Sequence, residues 1–413
     1  MKKFTVHLMQ DDLWDYLGKR LSGSIQRALV SPVPSVISGT LLKIGGSASI
    51  SSDTEMRQFL DAVLENVIRD YCPDFRTLAG PVGHNYKWRY SSAYQKAVRR
   101  NDPSVTAVAV ALNNCDPAYI WRRAPTIALE DVGLGDPWVC ALVLHACRFS
   151  KLRARHGLDK LGAFLGELMG SAVKDRLSCD SYCLPYFHPE LAEVRAAVDD
   201  MSADERADLY RSDHTPFGSR VAAGISLAGP RYGGDVFSGS GGSPDQLAEA
   251  VEGLVPYPIQ WLSRQYAKMA RDGMFVSLPL VWRQLISEGQ TQLVQGDVPK
   301  RSLIEGVLAA TFDGHTQEGR RALAYFGKAC APIRKVIGDV ANQNKLIALA
   351  VFTVDSTLLD RYLSSPWATE LYKENLRGEV LAAGFSMGQF YDLAEAVAHN
   401  RDDLHHARMR VMR

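Results

Sequence analysis

Apolar positions along most of this chain recur with the period of an α-helix. Met56, Phe59, Leu60, Val63, Leu64, Val67 and Ile68 fall at i, i+3, i+4, i+7, i+8, i+11 and i+12, one continuous stripe that predicts a helix over 53–70. Ser52 or Asp53 can cap it, and Cys72-Pro73 ends it. Three Asp-Pro pairs follow: Asp102-Pro103, Asp116-Pro117 and Asp136-Pro137. Aspartate accepts hydrogen bonds from the orphan N–H groups of a first turn, and proline at the first helical position forfeits no bond. Each pair therefore predicts a helix start. Val105, Val108 and Leu112 line the first of these helices; Cys140, Val143, Leu144 and Cys147 line the third; Leu158, Leu161, Leu165 and Leu168 line a fourth. Further helical patterns run over 245–272, 302–312, 316–331, 354–377 and 386–398, the last with Phe390, Leu393 and Val397 on one face. Residues 20–50 differ, because Gly, Ser and Pro punctuate short β-branched runs such as VISGTLLKI. They predict irregular structure with a short hairpin, and at most two strands are expected in all. The Asp-Pro pairs lie 14 and then 20 residues apart, which is no solenoid period. The expected fold class is mainly α, a multi-helix array with a short irregular or β-containing N-terminal region.

Composition narrows the classes. Of 413 residues 46% are apolar and 23% charged, which excludes wholesale disorder. Lys and Arg number 47 against 46 acids, so a uniformly basic nucleic-acid sleeve is excluded, whereas a basic patch balanced by an acidic region is not. Such an imbalance exists: residues 87–176 hold fourteen Lys/Arg and eight acids, and residues 186–255 hold twelve acids and five arginines. The apolar runs, such as 347–352, are too short for a bilayer span of about 20 residues, so no membrane association is expected. The opening MKKFTVHLMQDDLWDYL meets His7, Gln10, Asp11 and Asp12 before any long apolar run, which argues against a signal peptide. Seven scattered cysteines suit a reducing compartment, so a cytoplasmic protein is expected. The chain divides into 1–85 of mixed structure, a helical 86–185, an acidic 186–243 with a Gly/Ser-rich, mobile stretch over 229–243, and a helical 244–413.

The stretch over 91–137 carries a resemblance. A Lys/Arg-rich helix end precedes an Asp-Pro (Lys96, Arg99, Arg100, Asp102, Pro103), a second Asp-Pro is followed by Tyr-Ile and paired arginines (Asp116, Pro117, Tyr119, Ile120, Arg122, Arg123), and ALEDVGLGDP closes the run. This ordered set resembles the helical region behind the ATPase core of the replication-associated recombination protein A family, which includes the Werner helicase-interacting protein and is clamp-loader-like. A fainter likeness continues to about Cys183, and DGHTQEGRRAL over 313–323 is similar to helical proteins of the same group. The family's ATPase needs a GxxxxGK[ST] loop, and none exists here. The resemblance thus implies a collar that assembles subunits and engages DNA or a replication partner, without the motor. Pro125 departs from the family, and a kink is expected there.

The candidate chemistry is cationic. Arg99, Arg100, Arg122, Arg123, Arg148, Lys151, Arg153 and Arg155 suit phosphate contacts, and such contacts make binding fall with salt. Arg122 and Arg123 have a second reading, as internal partners of Glu130 and Asp131. Adjacent residues on a helix point about 100° apart, so Glu130 and Asp131 are not expected to converge as a catalytic pair. Cys179, Cys183 and His188 have no evident fourth zinc ligand, though Cys115, Cys147 or His156 could supply one from afar, and the cysteines read as small buried residues. Gly224–Ala228 falls short of a nucleophile elbow. His405-His406 lies in a tail expected to fray. Tyr86, Trp88 and Tyr90, interleaved with His84, Lys87 and Arg89, suit either base stacking or a domain junction. No catalytic residue, cofactor or metal is called for. The expected function is a non-catalytic, oligomerising scaffold of DNA replication or recombination, of the kind a virus or mobile element encodes, binding forked or single-stranded DNA or a replication protein. The alternative is a protein-interaction or inhibitor module that does not bind DNA. An enzyme would require a deep polar pocket.

Overall fold

A computed structural model describes residues 50–73, 78, 80–81, 83–148, 150–233, 237, 241–269, 273–338 and 342–412. The hairpin expected within 20–50 lies outside these residues, except at position 50, and so does much of the Gly/Ser-rich stretch. Twenty-one α-helices are present among the described residues, so the chain is mainly α. They are α1 (Asp53–Asp70), α2 (Lys87–Arg99), α3 (Val105–Cys115), α4 (Ile120–Ile127), α5 (Pro137–Arg148), α6 (Ser150–His156), α7 (Leu158–Ser171), α8 (Leu177–Phe187), α9 (Ala192–Asp199), α10 (Ala203–Arg211) and α11 (Phe217–Ala228). After them come α12 (Pro230–Gly233), α13 (Pro244–Val251), α14 (Tyr257–Met269), α15 (Leu278–Glu288), α16 (Gln317–Ala329), α17 (Ala331–Ile337), α18 (Gln343–Val351), α19 (Pro366–Ala382), α20 (Met387–His399) and α21 (Arg401–Met412).

Local chemistry sets many of these boundaries. Ser52 caps α1 by accepting from Glu55 N, and Met56, Leu60, Val63, Leu64 and Ile68 bury the predicted stripe. Asp136 caps α5 as its Asp-Pro predicts, with Val139 N donating to Oδ1 at 3.2 Å. At the other two pairs the carboxylate forms a tighter turn. Asp102 accepts from Ser104 N and Asp116 from Ala118 N, each two residues on, and regular helix begins only at Val105 and Ile120. Helix α4 carries Pro125 and runs into a π-helical turn over Ala128–Val132, so the irregularity expected at the proline emerges three residues later.

Several expected helices are something else. The 302–312 segment is a hairpin of β2 (Leu303–Ile304) and β3 (Val307–Leu308). Glu305 at φ 50° and Gly306 at φ 83° supply the two positive dihedrals of a two-residue turn. Ile304, Val307 and Leu308 are all buried, and their spacing imitates a helical stripe. The 354–377 segment splits into a π turn over Phe352–Ser356, strand β4 (Arg361–Ser364) and α19. Strand β4 pairs antiparallel with β1 (Gln292–Gln295), Gln292 opposite Ser364. Among the described residues four strands are present, where at most two were allowed for. The 245–272 pattern divides around Pro256 into α13 and α14. The tail is helical as α21 and buries Leu404, Ala407 and Arg408 rather than fraying.

The buried apolar side chains form two clusters. One runs from Met56 to Phe312, with Ala368 and Leu371, and continues through 185–186 and 243–244 without a break between its members on either side. The other gathers Leu323 to Ala407 from α16–α21. Helix α2 lies deep in the core, with every residue from Arg89 to Arg99 buried. Leu393 is fully buried in the second cluster. Leu393→Ala is expected to cost about 2–5 kcal/mol, read as a lowered denaturation midpoint of that region.

Candidate nucleic-acid interface

A charged helix in a core must bring its counter-ions with it, because a buried unpaired ion costs several kcal/mol. Helix α2 does so. Arg99 is 1% exposed and donates from Nε to Asp131 at 2.7 Å, from Nη2 to Glu130 at 2.8 Å and from Nη1 to the Ser356 carbonyl. Arg176 reaches the same two acids, Asp131 at 2.7 Å and Glu130 at 3.3 Å. Gln95 donates to Asp131 and accepts from Arg123, which lies 3.7 Å from Glu130. Lys96 pairs with Asp313 at 2.7 Å. Arg100 and Arg408 share Asp355, each at 2.8 Å. Glu130 and Asp131 were expected to diverge, yet both converge on Arg99 and Arg176. They sit in the π turn; the Arg99 fork spans both carboxylates with Nε and Nη2, and Arg176 meets both with Nη1.

These contacts reassign several predicted residues. Arg99 and Arg100 are engaged inside the protein, on Glu130, Asp131 and Asp355, and neither side chain is open to a phosphate. Arg123 follows its internal reading. Arg122 instead lies 3.8 Å from Asp116 and over the Tyr119 ring, with its side chain 58% exposed. Trp88 is 59% exposed and meets Tyr119 edge-on, while Tyr90 is buried and donates to the Pro81 carbonyl. His188 is bonded to Glu374 at 3.0 Å, and among the described residues no three His, Cys, Asp or Glu side chains are placed to hold a metal ion. Gly224 is a packing glycine: a Cβ there would lie 2.5 Å from Val276 and 2.6 Å from Tyr210.

The remaining predicted cations lie at the end of α5 and on α6. Arg153 donates to the Cys147 carbonyl and lies over the Trp121 ring, Arg155 pairs with Glu65, and Lys151 is exposed. Arg148 is the informative one. It makes no hydrogen bond or ion pair among the described residues, and its neighbour is another arginine. Burial and then Arg57 pull its pKa down, with only Asp53 opposing. Asp53 is itself crowded by cations. Arg57 is 3.6 Å from it and Arg264 is 3.1 Å away; Tyr257 donates to it at 2.6 Å, and Lys268 is near enough to help hold its pKa down against burial. Four cations thus surround one carboxylate. Close by, Asp61 is bonded to His145, whose pKa burial lowers in spite of that contact, so the imidazole adds no charge near neutral pH. The arrangement is a half-exposed cluster with surplus positive charge, the electrostatic footprint of an anion site. Sequence reading found Arg148 but missed Arg57, Arg264 and Lys268. No local motif links residues so far apart in the chain.

Comparison with known protein families, with characterised proteins and with solved structures finds no match to this chain.

The ion network makes stability depend on acid. Burial pushes the Glu130 carboxyl up, but Arg99, Arg123 and Arg176 outweigh it and hold it at about 2, against 4.5 unperturbed. A folded-state pKa below the unfolded one adds stability that is complete above the unfolded value and lost as pH falls through the folded one. Between pH about 4.5 and 2 this group is expected to withdraw about 3 kcal/mol, and Glu130→Gln is expected to flatten that limb of the stability–pH curve. Asp131→Asn removes the fully buried acid that Arg99 and Arg176 share and leaves both to Glu130. It is expected to cost about 3–5 kcal/mol in chemical denaturation.

Proposed function

We propose that this chain is a helical scaffold that binds the phosphate backbone of nucleic acid through the Arg57, Arg148, Arg264 and Lys268 cluster, with Lys151 and Arg155 extending the surface. The observation that carries the reading is Arg148: a half-buried guanidinium, held beside a second one, with no anion of its own. A phosphate placed between them would relieve that repulsion and take charge-assisted hydrogen bonds from both. The likeness of 91–137 to the collar of replication-associated recombination proteins supplies the biological setting, DNA replication or recombination, and extends the proposal to self-association and to a cytoplasmic location. The chain lacks the phosphate-binding loop that would power a motor. Among the described residues, no helix is long and apolar enough to cross a membrane.

The test is binding of a labelled single strand and a labelled fork at rising salt. Arg148→Glu and Arg57→Glu are each expected to weaken binding about equally for any sequence. Each is also expected to make log K fall less steeply with log salt, by about 0.7 for every single-strand phosphate that the variant no longer neutralises. Arg320→Glu, the same charge change on the exposed face of α16, is the control. Equal affinities and slopes for Arg148→Glu and the unmodified chain would refute this assignment. Recovery of a protein partner after nuclease treatment, without any DNA binding at low salt, would favour the interaction-module reading.

A further inference from the structure

A cavity of about 450 Å³ opens between α8 and α19, under the β1–β4 ribbon and beside the π turn over Phe352–Ser356. One wall is apolar, with Phe352, Leu358, Leu363 and Leu376. Asp180 of α8 and Glu379 of α19 also line the cavity, with Asp297, the Tyr372 ring and Arg176. The basic cluster takes no part in this space, and the ion network borders it through Arg176.

Asp180 is the anomaly. Its side chain lines the cavity, the residue is 6% exposed, and among the described residues its carboxylate accepts no hydrogen bond and forms no ion pair. The nearest guanidinium, Arg176, gives its Nη1 to Glu130 and Asp131 and turns Nη2 toward the Cys179 sulfur. Among the described residues, the Glu379 carboxylate accepts only from Asn375, at 3.2 Å. The consequence is visible in both groups. Burial first, against the pull of Arg176, pushes Asp180 up to about 6, and burial and then Asp180 raise Glu379. A nearly buried carboxylate that faces a cavity and takes no donor from the described residues offers a pairing site to a cation that enters from outside. A metal ion is a poor fit, since no three metal-binding side chains converge among the described residues. Apolar side chains and two carboxylates lining one cavity match an alkyl chain that ends in charge.

We infer that this cavity binds an organic ammonium ion, its charged nitrogen held by Asp180 and Glu379 and its methylenes laid against the leucine wall. Two sources offer that chemistry, a free alkylamine and the side chain of a lysine in a peptide. Isothermal titration of the full chain with 1,5-diaminopentane, with Nα-acetyl-lysine amide and with pentane-1,5-diol separates them. Saturable one-to-one binding of the diamine assigns a free amine, and preference for the lysine amide assigns a peptide. Asp180→Asn removes no hydrogen bond and is expected to leave the fold intact while weakening amine binding at least tenfold. Glu379→Gln is expected to weaken it in the same direction, whereas Glu395→Gln, on α20 and not among the residues that line the cavity, is expected to leave it unchanged. Failure of both amines to bind, binding of the diol as tight as that of the diamine, or amine affinity untouched by both Asp180→Asn and Glu379→Gln would each overturn the assignment.

Discussion

The structure turns on the burial of a charged helix. Helix α2 enters the core with Arg89, Lys96 and Arg99 on it, and each charge obliges a distant segment to present an acid. Arg89 is met by Glu305 of the hairpin turn and by Glu318 of α16, Lys96 by Asp313, and Arg99 by Glu130 and Asp131. Next to it Arg100 and Arg408 share Asp355. These pairs tie α2 to segments as far along the chain as α21. Replacing them all with apolar residues would not be unfavourable in itself. Removing one partner is, because it strands the other in a low-dielectric interior. The network therefore specifies which segments meet, more than it adds to net stability.

The same constraint decides which cations are left for function. A tally of charge over 87–176 treats every arginine alike, but the core takes up Arg89, Lys96, Arg99 and Arg100, and Arg123 and Arg176 are tied to the π turn. Arg122 stays open beside Asp116, and a further group of open cations gathers where α1, the end of α5 and α14 meet around Asp53. Their half-burial lowers the local dielectric and strengthens their field toward an incoming anion. Charge of the opposite sign collects in the cavity between α8 and α19. Among the described residues, two regions with surplus charge of opposite sign thus lie beside a neutralised core.

Much of the helical order was legible because it is written locally. Ser52, Asp136, Thr316 and Ser386 each accept from a backbone N–H in the first turn, and all four lie at starts that spacing and cap chemistry predict. The hairpin at 303–308 was not legible by periodicity, since Ile304, Val307 and Leu308 repeat at helical spacing; only Gly306 hinted at a turn. The π turn was hidden for a related reason. Nothing in ALEDV announces a wider coil, so the convergence of Glu130 and Asp131 could not be seen. For the basic cluster, one member in four was found. Arg148 stands in a basic run, whereas Arg57 and Arg264 matter only because the fold brings α1 and α14 to it. The unpaired state of Asp180 was equally invisible, since it depends on where Arg176 directs its donors.

Positive charge, on this account, is neutralised within the core and left free at the junction of α1, α5, α6 and α14. Amide hydrogen exchange of the full chain, with and without a short single-stranded DNA, tests that division most directly. Protection on binding is expected at the start of α1, from the end of α5 through α6, and along α14, with α2 unchanged. Binding that protects other segments and leaves those untouched would contradict it.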